Sequence, residues 1–132
     1  MATVPLLPDD ALAPEARAVF DEIRAARGTD YVNDFWRALA HDPETLRATW
    51  DRLRRVMGPG ALDPLAKELI YLAVSVANGC SYCVHSHTAS ARAKGLTDAQ
   101  YAEALAVIGM AMQTNGLVTA LGVAPDAVFQ ET

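Results

Sequence analysis

Glu68-Leu-Ile-Tyr-Leu-Ala-Val-Ser-Val-Ala-Asn-Gly-Cys-Ser-Tyr-Cys-Val-His-Ser-His87 is the stretch from which the rest of the chain is read. It holds both cysteines of the 132-residue sequence and two of its three histidines. Cys80 and Cys83 are spaced C-x-x-C, and His87 follows Cys83 by four residues. At ~100° per residue, Cys80, Cys83 and His87 fall within about 60° of one another on a helix, while His85 points to nearly the opposite side. A thiol attacks only as thiolate, and a neighbouring imidazole can take its proton or stabilise the anion. Cys83 and His87 have the i, i+4 spacing at which helical side chains meet. Cys80 lies one turn earlier, near enough to close a disulfide once Cys83 is oxidised. Asn78-Gly79 reads as a helix break. It puts Cys80 in the first turn of a new helix, where free N–H groups and the macrodipole favour an anion. Position therefore leaves open which cysteine is the nucleophile. Glu68 stands one helix earlier, inside an apolar run where an unpartnered carboxylate is costly to bury. Its structural alternative is a buried ion pair with an arginine.

Outward from this stretch the pattern is helical on both sides. Asp63-Pro64 reads as a cap followed by a proline that opens a helix. Residues 64–77 are apolar nearly all round (Leu65, Leu69, Ile70, Leu72, Val74, Val76), as in a central, buried helix. A helix over about 80–94 carries the cysteines and is closed by Lys94-Gly95. Thr97-Asp-Ala-Gln100 is a capping box opening the last long helix. That helix carries Tyr101, Leu105, Ile108 and Met112 on one face and Ala104, Val107 and Ala111 on another, so burial from two sides is expected. Asn115-Gly116 is a candidate kink, and Gly122 the end. Upstream, Pro14 opens a helix over 14–27 with Ala16, Val19, Phe20 and Ile23 in register, closed by Gly28. Val32 to Ala40 reads as a short helix with Phe35, Trp36 and Leu39 inward. Asp42-Pro43 opens a helix to about Met57, with Leu46, Trp50, Leu53 and Met57 as its apolar stripe, and Gly58-Pro59-Gly60 ends it. No alternating strand pattern and no repeat is found. The expectation is an all-α chain of about six helices forming one domain over residues 1–132, its core motif at 63–95. A C-x-x-C beside a βαβ pattern would suggest a thioredoxin, and these helical surroundings argue against that fold.

Composition narrows the function. The net charge of −5 disfavours nucleic acid as a partner. Arg47, Arg52, Arg54 and Arg55 read as a solvated helix face rather than an anion site. The N-terminal segment lacks the basic start of a signal peptide, and Pro5 and Pro8 interrupt its apolar run, so a cytoplasmic location is expected. In a reducing compartment a C-x-x-C pair is catalytic or metal-binding more often than structural. Hydrophobic residues make up 52% of the chain, more than a small domain buries easily by itself, which points to an oligomer. No charged residue occurs from Ala104 to Pro125, a length that suits a membrane span. Gln113, Thr114, Asn115 and Gly116 at its centre disfavour lipid, so no membrane role is expected; a helix buried in an oligomer is the better account.

The constellation Glu68, Cys80, Cys83 and His87, E-x11-C-x2-C-x3-H, resembles the signature of the alkylhydroperoxidase D-like proteins of the carboxymuconolactone decarboxylase superfamily. The resemblance takes in Leu62-Asp63-Pro64, Ala77-Asn78-Gly79-Cys80 and Lys94-Gly95-Leu96-Thr97. With Asp34-Phe35-Trp36-Arg37-Ala38-Leu39-Ala40-His41 it extends to the single-domain, peroxidase-related branch and covers most of the chain.

This resemblance implies a cysteine-dependent hydroperoxide reductase of the antioxidant type. Cys83 would be peroxidatic and Cys80 resolving, with Glu68 at the far end of a proton relay through His87 and Cys80. The substrate would be a hydroperoxide, and an external thiol or dithiol would restore the cysteines. No cofactor or metal is implied, because the cysteine pair is itself the redox centre. A homo-trimer or homo-hexamer with the site near a subunit interface is expected. The best-studied type of this family has a second histidine between the cysteines. Tyr82 stands there in this chain; it can donate a hydrogen bond but cannot shuttle a proton near neutral pH. The alternatives are a general thiol–disulfide reductase and a carboxymuconolactone decarboxylase-type lyase, although members with the latter activity generally do without the C-x-x-C pair. A zinc module using Cys80, Cys83, His85 and His87 is a further class, but one helix cannot wrap all four around a tetrahedral ion.

Overall fold

The computed structural model describes residues 1–129 and is all-α, with six α-helices and no strand among the described residues. They are α1 (Pro14–Arg27), α2 (Asp34–Leu39), α3 (Pro43–Met57), α4 (Pro64–Ala77), α5 (Ser81–Ala93) and α6 (Asp98–Leu121), with short 3₁₀ turns at Asp9–Ala11 and Ala127–Phe129. Several expected boundaries have their local cause in place, while the short helix expected over residues 32–40 is confined to Asp34–Leu39. Asp42 and Asp63 accept the backbone N–H of Thr45 and Ala66 at the starts of α3 and α4, each ahead of a proline in the first turn. Thr97 and Gln100 form both bonds of the capping box. Gly28 and Gly122 end α1 and α6 in the left-handed conformation. α6 runs unbroken across Asn115-Gly116, so the kink expected there does not interrupt it.

The chain divides into two compact units, Met1–Gly58 and a second that begins at Pro59. The first has a closed apolar core. Ala16, Val19, Phe20 and Ile23 of α1 are fully buried, against Leu46 and Trp50 of α3 and Trp36 of α2. The two tryptophans meet edge to face with ring centroids 5.7 Å apart, the arrangement the aromatic quadrupole favours. Around this core Asp9 pairs with Arg24 and Arg37. Arg47 of the basic cluster is tied to Glu22 at 2.8 Å rather than open to an anion. Phe35 departs from its expected inward position and is 45% exposed. α2 has only six residues. Neighbours Phe35 and Trp36 project about 100° apart, so a helix this short turns only one of them inward. Replacing Phe20 by alanine is expected to cost about 3–5 kcal/mol. A urea unfolding curve of the variant checks this; a loss under 1 kcal/mol would mean the core collapses around the void.

The second unit is built differently. α4 packs chiefly against α5, and α6 packs on α4. Among its described residues only Leu72, Ala91 and Leu96 are buried apolar side chains. α4, expected to be buried all round, leaves Ile70 and Val74 more than half exposed. α6, expected to be covered on two faces, has no buried residue. It is long and apolar enough to cross a membrane by length and composition. The physical reason is coverage. Within the second unit α4 packs on α6 and Arg92 of α5 pairs with Asp98 at its start, which leaves most of its two apolar faces uncovered.

Candidate functional site

The site is built on α4 and α5. α4 begins at its Asp63 cap and carries Glu68 in its second turn. The chain then breaks at Gly79, whose φ of +67° is open to glycine at no steric cost. Cys80 follows, its N–H bonded to the carbonyl of Ser75 at 2.9 Å. Cys80 is the N-cap of α5 rather than a residue of its first turn. Its sulfur accepts the N–H of Cys83 at 3.2 Å. Cys80 and Cys83 are joined by a disulfide, with Cα atoms 5.3 Å apart.

One turn further on, His87 faces back to α4. Its Nδ1 lies 2.7 Å from Glu68 Oε2. The other carboxylate oxygen, Oε1, accepts from Ser90 Oγ at 2.7 Å and from Lys94 Nζ at 2.8 Å. Lys94 and Ser90 are themselves 2.8 Å apart. Tyr71 of α4 stacks on the His87 ring, with centroids 3.6 Å apart and planes 17° from parallel. Glu68 is 3% exposed. Burial alone would push its carboxyl up. Hydrogen bonds from His87, Lys94 and Ser90, with the charge of Lys94, outweigh that and hold it at about 2, below the ordinary 4.5. Glu68 is therefore a carboxylate, which only accepts. Nδ1 of His87 must carry the proton between them, and in the neutral ring the lone pair is on Nε2.

Of the sequence candidates, Glu68 and His87 are brought into direct contact. Cys80 caps α5 and Cys83 lies in its first turn, one turn before His87. Tyr82 projects from the first turn of α5 with 46% of its surface exposed. His85 is exposed. Among the described residues no three His, Cys, Asp or Glu side chains are grouped as a metal site would need. The ion-pair partner of Glu68 is a lysine, not an arginine. Three contributors went unread in the sequence: Tyr71, Ser90 and Lys94. Ser90 and Lys94 follow His87 at i+3 and i+7, and Tyr71 follows Glu68 at i+3, so helical spacing was the available signal.

The chain resembles known proteins over the same region. A crystal structure of an alkylhydroperoxidase AhpD core from Rhodospirillum rubrum superposes with a TM-score of 0.96 at 60% identity, covering 100% of this chain and 99% of that one. An alkyl hydroperoxide reductase AhpD from Solibacter usitatus is 40% identical over 58% of this chain and 42% of its own length. Its namesake from Mycobacteroides abscessus is 36% identical over 63% of this chain and 49% of its own length. The chain thus matches about half the length of these curated relatives, or less. The profile of the carboxymuconolactone decarboxylase family matches residues 43–126, more than half of the sequence, and the chain belongs to that family.

Proposed function

We propose that the chain is a thiol-dependent hydroperoxide reductase whose redox centre is the Cys80–Cys83 pair. The observation that carries this reading is the disulfide on α5 one turn from a histidine held by a buried carboxylate. The two AhpD relatives, named as alkyl hydroperoxide reductases, support it. In the reduced protein His87 takes the Cys83 proton through Nε2. The thiolate attacks the terminal oxygen of ROOH and the O–O bond breaks. Sulfur is oxidised to Cys83–SOH, and the departing alkoxide takes the proton from His87 to leave as ROH. Cys80, as thiolate, then attacks the sulfenic sulfur. Hydroxide leaves and becomes water with the proton Cys80 gave up, and the disulfide forms. An external dithiol supplies two electrons and two protons to reopen it. The pair needs no further cofactor for this cycle.

The test is a thiol count by intact mass after alkylation. Reduced protein given one equivalent of an organic hydroperoxide should lose both free thiols. Survival of both would end the peroxidase reading.

Assembly belongs to the same proposal. α6 and the exposed apolar residues of α4 find their cover in further copies of this chain, as a cytoplasmic homo-trimer or homo-hexamer. Native mass spectrometry should show three or six chains; a monomer at micromolar concentration would overturn it.

A further inference from the structure

We propose that Lys94 is a positioning residue: as the counter-charge of Glu68 it keeps His87 neutral and ready to accept a proton. The inference rests on the reading of Glu68 and His87 as a proton-handling pair and assigns the group that sets its charge.

The argument begins with the division of labour on the Glu68 carboxylate. One oxygen faces His87, and the other is filled by Ser90 and Lys94. A carboxylate this buried needs a cation close by. The candidates are few. Lys67, next to Glu68 in sequence, has its ammonium beside Gly60. Within α6, packed on α4, the charged residues are Asp98 and Glu103, both near its start, and Asp98 is paired with Arg92 at 2.7 Å. His87 itself is faced from α4 by Glu68 and Tyr71, and on its own helix by the cysteines one and two turns back, which do not titrate while joined. That leaves Lys94 and His87 as the possible cations for Glu68. Lys94 already serves at 2.8 Å, so the imidazole is not required to carry charge. Its Nδ1–H bond to Glu68 and the Tyr71 stack then fix the ring, with the Nε2 lone pair available. Without the lysine, the uncompensated carboxylate would draw a second proton onto His87 and fill the acceptor before any thiol could use it. Ser90 holds the clamp together, bonding both the carboxylate and the ammonium.

The test is an NMR titration of the His87 ring in the disulfide-bonded protein, where no thiol titrates beside it, with the resonance assigned by its loss in His87→Gln. Lys94→Gln should move the midpoint to higher pH by about one unit. Lys94→Arg, which keeps the charge, should restore it to within a few tenths. Ser90→Ala should move it in the same direction by less, and serves if Lys94→Gln does not fold. A lysine that only braces the end of α5 would lower the melting temperature and leave the midpoint in place. An unmoved midpoint in folded Lys94→Gln, or in Ser90→Ala if the former does not fold, would overturn the inference. No peroxide is used, so the outcome stands apart from the thiol count. A shifted midpoint with intact thiols would retain the lysine's role and reject the peroxidase.

Discussion

Cys83→Ser is expected to consume hydroperoxide at least about a thousandfold more slowly than the parent chain, because a serine hydroxyl does not ionise near neutral pH and attacks an O–O bond poorly. Its remaining cysteine, Cys80, should stay reduced over the time in which the parent protein loses both thiols. Cys80→Ser is expected to behave differently. It should complete one turnover at close to the parent rate and then stop as a Cys83 sulfenic acid, since no second thiol is present to release water and close the disulfide. Stopped-flow peroxide consumption, with trapping of the sulfenic acid by a dimedone-type reagent, separates the two. The contrast matters because both assignments have a physical basis. His87 lies one turn beyond Cys83, with Nδ1 committed to Glu68 and Nε2 left as the acceptor in the neutral ring. Cys80 is the N-cap of α5, where its sulfur receives the N–H of Cys83, a position that stabilises a thiolate. On the proposed cycle that second effect serves resolution and reduction, by making Cys80 the better leaving group when an external thiol attacks Cys83. If Cys80→Ser loses the first turnover and Cys83→Ser keeps it, the roles are reversed.

Helix order was legible because its signals are local. Asp42-Pro43, Asp63-Pro64 and Thr97 with Gln100 each determine a helix start through bonds made within four residues, and Gly28 and Gly122 determine ends through backbone conformation alone. The pairing of His87 with Glu68 was partly legible. Spacing put the thiols and His87 on one face and marked Glu68 as needing a partner, but which partner depends on how α5 lies against α4, and periodicity does not encode that. Lys94 reads as a helix-closing cation in the sequence, and it is one; its reach to the carboxylate of another helix is a tertiary fact. Burial was the least legible property. Apolar periodicity says that a face wants cover, not where the cover comes from. In the first unit the cover is α1 against α3, within the chain. For α6 the same kind of pattern finds little cover within the second unit, so a stretch as apolar as any core segment lies exposed.

Glu68→Ala is expected to be the most destabilising single change in the second unit. The carboxylate is the common acceptor of His87, Ser90 and Lys94. Removing one member of a buried ion pair leaves the others desolvated and unpaired, at about 3–5 kcal/mol where both partners are buried. The Lys94 side chain is 37% exposed and can turn to water, which brings the expected loss to about 2–4 kcal/mol. Glu68→Gln keeps the volume but sets an amide against the ammonium and the Nδ1–H, so it should recover only part of that. The same network predicts how stability depends on acid. The folded-state value of Glu68, about 2, lies below its ordinary 4.5, so the unfolded chain takes up the proton first. The contribution is complete above pH 4.5 and is lost as the pH falls from there through about 2. Urea midpoints measured across that window should fall steeply for the parent protein and distinctly less for Glu68→Gln, which has no proton to bind at this position. Parallel curves for the two proteins would mean that the buried carboxylate is held no better folded than unfolded. The clamp of Ser90 and Lys94 would then give the site its geometry without contributing to its stability.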